Sequence, residues 1–366
     1  MGDSFSWHLP VDLRFGVDCV AGLPAALAGR SALVLAMPAA QTLGWWERWS
    51  SSWGPSLRRW VTVEDGLSSL ERARELAAHV WPHLDDATVI VAVGGGTTLD
   101  LAKVLRCRPM DGRFEPVAAA IRAEQPWPAL QRAPLWLVPT TAGTGSELTR
   151  WATVWDTEHR PSRKLSLDEP WGYAERAFVD PRLTLSCPPS VTRDTALDTL
   201  AHALESIWNV HANPLSTRLA ITAARQVLEH LPRLLERPDD LTLRTQLSMA
   251  AVSAGMAFSQ TRTALAHALS YDLTLQQGIP HGHACALWLP QTWRLAQGHH
   301  APADAALAEV FGVPADEGAE RLARWLLALG IDSSAAALQS LGVHDAQTRV
   351  QAALSSPRGR NFIGCP

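Results

Sequence analysis

The sequence has 366 residues, which is too long for one ordinary hydrophobic core and predicts two domains. Hydrophobic residues make up 47% and charged residues 19%, a balance that excludes disorder over most of the length. The formal net charge of -4 argues against a nucleic acid or a membrane surface as partner, and the longest apolar stretches are far too short to span a bilayer.

Five cysteines stand singly along the chain, with an odd total and no Cys-x-x-Cys pair. This usage is typical of proteins from a reducing compartment, so we expect a cytoplasmic location. The five are Cys19, Cys107, Cys187, Cys285 and Cys365.

Short apolar and β-branched runs alternate with helical patterns as far as Pro181. Such alternation is typical of a parallel sheet with helices on its faces. The predicted strands are 32–37, 61–63, 88–93, 135–138, 152–155 and 177–179.

A glycine triplet, 94–96, directly follows the buried strand 88–93 and precedes a predicted helix. Glycines let the backbone approach a pyrophosphate closely, and the N–H groups at a helix start attract the anion. Thr97 and Asp100 have the spacing of a capping box, which would place the helix start at the phosphate site. The loop is therefore predicted to bind a nucleotide, although it is not the Gly-x-Gly-x-x-Gly fingerprint.

A second loop of small residues, 139–147, follows the strand 135–138. Loops at the ends of neighbouring strands are where doubly wound sheets bind ligands. The hydroxyl groups that this loop offers to a cofactor belong to Thr140, Thr141, Thr144 and Ser146.

From Thr192 onward the strand signal disappears and long Ala- and Leu-rich helical patterns replace it, among them 214–235, 241–257 and 318–329. Prolines are dense at 180–189, as expected of a domain boundary. We predict an α/β domain over residues 1–186 and an all-helical domain over residues 187–366.

Four side chains in the helical half suit one metal ion. Asp198 and His202 are four residues apart and would project from one face of a helix. His267 lies in a helix-like run, and His281 follows the Gly-Ile-Pro break at 278–280, so a helix and the loop after it could converge on the same point. One carboxylate and three imidazoles suit Fe(II) or Zn(II) and leave room for a substrate oxygen.

Together these motifs resemble the iron-dependent alcohol dehydrogenase family over roughly residues 13–290. They are, in order, Gly-Gly-Gly-x-x-x-Asp-x-Ala-Lys, Pro-Thr-Thr-x-Gly-Thr-Gly-Ser-Glu, Asp-Pro, Asp-x-x-x-His-Ala-x-Glu and Pro-His-Gly-x-Ala. The resemblance implies an N-terminal α/β dinucleotide-binding domain, an all-α C-terminal domain of the dehydroquinate synthase-like type, and a homodimer. It also implies that the metal ligands are Asp198, His202, His267 and His281, and that the nicotinamide dinucleotide is contacted by Gly94, Gly95, Gly96, Thr140, Thr141 and Lys164.

Two departures from the family pattern bear on the substrate and the cofactor. Many members carry a further histidine four residues after the third ligand, where this chain has Tyr271. The context of Tyr271 resembles the branch that reduces phosphonoacetaldehyde to 2-hydroxyethylphosphonate, although Asp272 replaces an expected proline. Family members that prefer NAD have an aspartate after the strand 32–36, where this chain reads Met-Pro, so NADPH is as plausible as NADH.

The predicted chemistry is reduction of an aldehyde, with a metal polarising the carbonyl and a nicotinamide donating hydride. Tyr271 could relay the proton or could simply close the pocket, and water on the metal could serve equally. A phosphonate requires a cationic partner, for which Arg262 is the first candidate. The weaker candidates are Arg150, Arg358 and Arg360.

Three alternatives remain open at this point. The first is a lyase resembling dehydroquinate synthase, which also uses NAD and a metal. The second keeps the chemistry but reduces phosphonopyruvate or a simple aliphatic aldehyde. The third is a non-catalytic binding protein with the same fold.

Overall fold

The computed structural model describes residues 4–364, which form two compact units. The α/β unit comprises Pro10–Thr141 and Ser146–Thr184. Among the described residues, the helical unit comprises residues 4–9, the short segment Ala142–Gly145 and residues 185–364. Two of these segments lie on the α/β side of the boundary predicted after residue 186, and that boundary itself stays a prediction.

A six-stranded parallel sheet forms the centre of the α/β unit, in the order β1-β10-β7-β4-β2-β3. Its inner strands are almost entirely buried because helices cover both faces, as parallel sheets require. The strands of the unit are β1 (Asp12–Phe15), β2 (Ser31–Ala36), β3 (Leu57–Thr62), β4 (Thr88–Gly94), β5 (Cys107–Pro109), β6 (Leu130–Arg132), β7 (Leu135–Pro139), β8 (Trp151–Asp156), β9 (Arg163–Asp168) and β10 (Arg176–Val179).

The carboxyl ends of β4 and β7 lie side by side, since Gly94 is paired with Pro139. The chain passes from β2 to β3 on one side and then to β4 on the other. The strand order therefore reverses between β2 and β4, and open α/β sheets bind ligands at the carboxyl ends of strands beside such a switch point. The two predicted cofactor loops therefore begin at adjacent strand ends.

Helices connect the strands of this unit. The longest are α4, which has a serine N-cap at Ser69, and α5, which follows β4 directly. The helices are α1 (Leu23–Leu27), α2 (Ala39–Thr42), α3 (Trp45–Trp53), α4 (Leu70–Val80), α5 (Gly96–Leu105) and α6 (Glu115–Ile121).

One predicted strand lies outside the parallel sheet. The segment 152–155 was expected there with the other five, but β8 pairs antiparallel with β9 in a separate two-stranded sheet. The apolar character of the segment predicts that a strand forms, whereas its partner is fixed by the turn that follows.

The helical unit has no strand ladder among its described residues and packs α7 against α8, α9 and α11. Four of its large side chains, three of them tryptophans, lie fully buried at Trp208, Trp288, Trp293 and Phe362. Its helices are α7 (Pro189–Ile207), α8 (Pro214–Glu236), α9 (Leu241–Thr261), α10 (Leu265–Gln277), α11 (His281–Ala296), α12 (Ala301–Phe311), α13 (Ala315–Ala328), α14 (Ala335–Ser340) and α15 (Ala346–Leu354).

His281 does not lie in a loop, as the sequence predicted, but is the first residue of α11. The preceding Pro280 occupies the N-cap position, where the missing N–H group of proline costs nothing. Across residues 4–364, none of the helices combines the length and the apolar character that a membrane crossing demands.

Candidate active site

Helix α7 presents three ionisable side chains from one buried face. Asp198, His202 and Glu205 follow at spacings of four and three residues, which places them above one another on the helix surface. Their exposed fractions are 4%, 5% and 0%. Buried charges of this kind must be paired or bind a metal ion.

Glu205 binds the beginning of α10 and orients His267. One oxygen, Oε2, accepts the backbone N–H of Ala264 and the Nδ1–H of His267, each at 2.7 Å, and Oε1 accepts the N–H of His267 at 3.2 Å. Since an ionised carboxylate can only accept hydrogen bonds, the proton of His267 is on Nδ1. The lone pair of Nε2 is therefore available to a metal ion.

His281 is held by a comparable contact. The hydroxyl of Ser270 donates to the carbonyl of His267 at 2.8 Å, and its oxygen lies 3.3 Å from Nδ1 of His281. Because the hydroxyl hydrogen of Ser270 already points to this carbonyl, Nδ1 of His281 donates a hydrogen bond to the Ser270 oxygen. In that tautomer the lone pair of the His281 ring is on Nε2.

Gly282 allows α11 to approach α7 closely enough for these groups to meet. A Cβ atom at this position would lie 1.9 Å from the carbonyl oxygen of Asp194 and 2.8 Å from the backbone nitrogen of Asp198. Any side chain here would push His281 away from α7.

The four predicted ligands all belong to the helical unit, and His202 contacts two of the other three. Nε2 of His202 lies 3.1 Å from Nε2 of His267 and 3.8 Å from Oδ1 of Asp198, and Nε2 of His267 lies 3.5 Å from the same oxygen. Asp198, His267, His281 and, unexpectedly, Cys285 each offer one ligand atom within 4.8 Å of the others.

Asp198 shows that this pocket suits a cation. Its Oδ1 is buried and accepts no hydrogen bond from any residue in the range 4–364. Burial raises the pKa of Asp198, but the neighbouring His202, His267 and His281 lower it overall, so the group is ionised. A buried carboxylate oxygen without a hydrogen bond, surrounded by imidazole nitrogens, fits a divalent metal ion.

His202 and His267 are further fixed by ring packing. The ring of His202 stacks on Phe258 with centroids 4.0 Å apart and on His267 at 4.6 Å. Burial acts to lower the pKa of His267, but the carboxylates of Glu205 and Asp198 raise it overall.

Tyr271 and Arg358 lie next to these ligands. The ring of Tyr271 lies 6.3 Å from that of His281, and the Arg358 guanidinium lies 5.7 Å over the Tyr271 ring. Arg358 also donates a hydrogen bond to the hydroxyl of Thr263, two residues after α9 ends. Burial raises the pKa of the Tyr271 hydroxyl far above 10, so it stays protonated at neutral pH.

The other candidate arginines have different surroundings. Arg262, the first candidate from the sequence, is exposed and caps the end of α9 with φ of 68°. Arg150 is paired with Asp168 at 2.8 Å in the α/β unit, and Arg360 is exposed. Of the four, Arg358 is the one that packs against Tyr271.

The triplet loop of the α/β unit leads into α5 without the predicted capping box. The N-cap is Gly95, with no side-chain cap. The Thr97 hydroxyl instead donates to the carbonyl of Gly66 at 3.0 Å. Asp100 accepts the Ser146 hydroxyl at 2.6 Å and the N–H of Thr153 at 2.8 Å. The N–H groups at the start of α5 therefore have no side-chain cap competing with an anion.

Lys103 ties the second loop to α5. Its ammonium group is fully buried and donates to the carbonyls of Ser146, Thr149 and Trp151 at 2.7 to 2.9 Å. Asp100 and Ser146, both predicted to bind the cofactor, are thus engaged in holding the loop. Burial lowers the pKa of Lys103 to about 8.

The remaining cofactor candidates lie around the same strand ends. A Cβ on Gly95 would meet the methyl group of Thr141 at an ordinary 3.5 Å, whereas one on Gly94 would clash with Thr98 at 2.5 Å. Gly96 is the first residue of α5. Thr140 is buried and donates to the sulfur of Met37. Lys164 on β9 lies 5.7 Å over Trp155.

The middle of the second loop belongs to the helical unit and packs on α7. The hydroxyl of Thr199 donates to the carbonyl of Gly143 at 3.3 Å, and a Cβ on Gly143 would collide with Thr195 at 2.6 Å. Thr144 lies in this segment. The segment is thereby held on the helix that carries Asp198.

Two residues of the site were not predicted as such, Glu205 and Cys285. Glu205 follows His202 by three residues and stands in the Asp-x-x-x-His-Ala-x-Glu motif, so helical spacing could have placed it near the ligands. Cys285 follows His281 by four residues, a spacing that matters only once His281 is known to be helical.

Comparison with known proteins gives a consistent family assignment. The model of iron-containing alcohol dehydrogenases matches residues 10–181, and the model of the C-terminal part of Fe-containing alcohol dehydrogenases matches residues 192–359. The phosphonoacetaldehyde reductase of Streptomyces viridochromogenes is 33% identical over 292 residues, 74% of this chain and 72% of the relative. The choline dehydrogenase of Bacillus subtilis is 30% identical over 261 residues, 69% of this chain and 64% of the relative.

A solved structure shows the same fold over nearly the whole chain. The sulfoacetaldehyde reductase of Bifidobacterium kashiwanohense, in complex with NAD+, superimposes with a TM-score of 0.87 and covers 99% of this chain and 95% of its own, at 24% identity.

Proposed function

The chain belongs to the iron-containing alcohol dehydrogenase family and is an oxidoreductase, and from this premise we propose that it reduces phosphonoacetaldehyde to 2-hydroxyethylphosphonate. In the balanced reaction the aldehyde, NADH or NADPH and one proton give the alcohol and the oxidised cofactor. Membership of this family argues against two alternatives that the sequence had left open, a lyase and a non-catalytic binding protein.

The proposal is carried by one observation, the convergence of Asp198, His202, His267 and His281 around a buried carboxylate oxygen that accepts no hydrogen bond from the described residues. We propose these four as ligands of Fe(II) or Zn(II). A divalent ion held there supplies Lewis acidity toward a carbonyl oxygen. Glu205 orients His267 with Nε2 toward the other ligands, and Ser270 contacts Nδ1 of His281.

We propose that the nicotinamide dinucleotide binds at the carboxyl ends of β4 and β7. Gly95, Gly96 and Thr141 line that edge, and the start of α5 offers uncapped N–H groups to a pyrophosphate. By its place in the family pattern, Lys164 is also proposed to contact the dinucleotide. The segment after β2 reads Met37-Pro38, so no carboxylate there would repel a 2′-phosphate, and NADPH is as acceptable as NADH.

The position of Arg358 is consistent with a negatively charged substrate. Its guanidinium lies beside the aromatic ring that neighbours His281, and guanidinium can hold a phosphonate through two parallel hydrogen bonds. The same charge would repel the trimethylammonium group of choline, the substrate named for the Bacillus relative. The relative named for phosphonoacetaldehyde therefore fits the charge of the pocket better.

Tyr271 is assigned a structural role beside the substrate. A general acid works best when its pKa lies near the working pH, whereas burial raises the pKa of Tyr271 far above 10. We propose that Tyr271 closes the pocket next to His281 and holds Arg358 through its ring, and that solvent water delivers the proton.

We further propose that the chain forms a homodimer and that it is cytoplasmic. We also propose that the domain boundary follows residue 186. The scattered cysteines support a reducing compartment, since no disulfide joins the described ones, Cys19, Cys107, Cys187 and Cys285, while Cys365 lies outside the described residues. Light scattering of the purified chain tests the dimer, because a mass of one chain would contradict it.

A substrate comparison tests the function. The purified chain, loaded with Fe(II) or Zn(II), is given NADH or NADPH and, in turn, phosphonoacetaldehyde, phosphonopyruvate and butyraldehyde. Choline oxidation is followed with the oxidised cofactors. We expect the highest kcat/KM with phosphonoacetaldehyde. A preference for butyraldehyde would contradict the anionic substrate while leaving the dehydrogenase in place.

A further inference from the structure

Cys285 lies one helical turn after His281 on α11, so both side chains project from the same face. The thiol is fully buried, and its sulfur lies 3.9 Å from Nε2 of His281. Because Nδ1 of His281 faces the Ser270 hydroxyl and carries the proton, Nε2 is the ring nitrogen with the lone pair. The sulfur therefore sits beside the atom through which His281 would bind a metal.

The distances suit a shared ion. Asp198, His267, His281 and Cys285 each place one ligand atom within 4.8 Å of the other three. Two donors bonded to one zinc ion at about 2.0 to 2.3 Å lie at most about 4.6 Å apart. Because tetrahedral donors at these bond lengths lie about 3.3 to 3.8 Å apart, side-chain movements of up to about an ångström close all four donors around one ion.

We propose that Cys285 binds the metal of this centre as a thiolate, beside Asp198, His267 and His281. This inference rests on the metal centre of the proposed function. The step is an exchange without redox change, in which the thiol loses its proton to solvent and a metal–sulfur bond forms. A thiolate is a soft donor that zinc and iron both accept, whereas magnesium and calcium prefer oxygen ligands.

The charges of the pocket permit a thiolate. Asp198, Glu205 and an ionised Cys285 would bring three negative charges. A divalent ion and Arg358 bring three positive charges. Arg358 and His281 both lie beside the Tyr271 ring, and Glu205 binds His267, so these charged groups share one neighbourhood. The pocket is therefore neutral with the sulfur bound, as a buried site requires.

An alternative role for Cys285 is apolar filler, since free cysteines are among the most buried residues. Filler does not require the sulfur to face a ligand nitrogen. The two roles differ in one observable, a bond between sulfur and the metal.

The experiment uses Co(II) as a probe in the full-length chain, freed of metal by a chelator and kept under anaerobic, reducing conditions. We expect a sulfur-to-cobalt charge-transfer band in the near ultraviolet that saturates at one ion per chain. Cys285→Ser should lose this band while keeping the weaker visible bands of cobalt bound by oxygen and nitrogen. The control Cys19→Ser, a half-buried thiol in the α/β unit, should keep both.

X-ray absorption of the zinc-loaded wild-type chain provides a measurement that needs no variant. We expect one sulfur at about 2.3 Å beside nitrogen and oxygen at about 2.0 to 2.2 Å. Competition with a chelator should show that Cys285→Ser weakens zinc binding by at least about tenfold, the smallest loss usual for residues that support a metal site.

The outcomes separate this inference from the proposed function. Cobalt bound without the charge-transfer band, or a band that persists in Cys285→Ser, overturns the sulfur ligand and leaves the centre of Asp198 and the histidines intact. A zinc spectrum with only nitrogen and oxygen neighbours does the same. Failure of the wild-type chain to bind cobalt at all overturns both.

Discussion

Glu205 accepts the Nδ1–H of His267 at 2.7 Å, and through this hydrogen bond it decides which nitrogen of His267 is available to a metal ion. Both groups are buried, so solvent cannot take over the role of the carboxylate. The orientation of the site thus depends on a residue that is not itself one of the proposed ligands.

Replacing this carboxylate should weaken metal binding. Glu205→Gln can present its amide nitrogen to Nδ1, which would favour the wrong tautomer of His267. We expect a loss of zinc affinity of about 10- to 100-fold, measured by chelator competition. Glu309→Gln changes a half-buried partner of Arg218 in the same unit, is the control and should bind zinc normally. Unchanged affinity in Glu205→Gln would show that the tautomer is fixed in another way.

Gly282 should tolerate no side chain. In Gly282→Ala the new methyl group would lie 1.9 Å from the carbonyl oxygen of Asp194, so α11 must move away from α7. We expect a destabilisation of about 1 to 3 kcal/mol or more and loss of the bound metal. Urea unfolding and metal analysis measure the two effects. Gly22→Ala, which has negative φ and no atom within 4 Å of the new carbon, should change neither.

Arg358 should determine the preference for an anionic substrate. Arg358→Met keeps much of the side-chain volume but removes the charge. We expect kcat/KM for phosphonoacetaldehyde to fall about 10- to 100-fold, the range for a hydrogen bond to a charged group, with little change for butyraldehyde. Arg262→Met and Arg360→Met provide the comparison, because both arginines are exposed. Equal losses on both aldehydes would remove Arg358 from phosphonate binding.

Asp156 should contribute to stability in a pH-dependent manner. It is buried on β8 and accepts two hydrogen bonds from Arg122, at 2.9 and 3.1 Å, which lower its pKa from 3.8 to about 2. Because the folded pKa is the lower one, this contribution is complete above about pH 5 and is lost as the pH falls through 4 toward 2. At pH 7 it amounts to about 2 kcal/mol.

The test compares Asp156→Asn with the wild type in urea at pH 7 and pH 3. The variant should be less stable at pH 7, and the difference should shrink at pH 3. Asp65→Asn, an exposed residue of the same unit, should match the wild type at both values. A difference that is as large at pH 3 as at pH 7 would mean that packing, and not charge, explains the loss.

The sequence predicted the buried strands well because burial leaves a clear apolar run. The segments 88–93 and 135–138 agree with β4 and β7 to within one residue. β1 was not predicted, since it has four residues that are alternately exposed and half-buried at the edge of the sheet. An apolar run does not reveal which strand it pairs with, and for this reason β8, which pairs with β9 across the turn 157–162, was expected in the wrong sheet.

Within the candidate site, the sequence identified residues whose spacing along a helix is sufficient, such as Asp198 and His202. It missed Cys285 because the Gly-Ile-Pro sequence at 278–280 was interpreted as a break before a loop, whereas Pro280 precedes a helix. The predicted capping box failed for a related reason. Asp100 accepts hydrogen bonds from Ser146 and Thr153, which are 46 and 53 residues away and which no local pattern reveals.

The chain contains only two lysines, Lys103 and Lys164, so nearly all of its positive charge is carried by arginine. Lys103 is enclosed by backbone carbonyls and fully buried, whereas Lys164 is half-buried. An acylating reagent applied to the folded protein would therefore modify Lys164 and not Lys103. Modification of Lys103 would occur only after α5 and the loop at 146–151 separate. The rate at which Lys103 is acylated therefore measures how often that region opens locally.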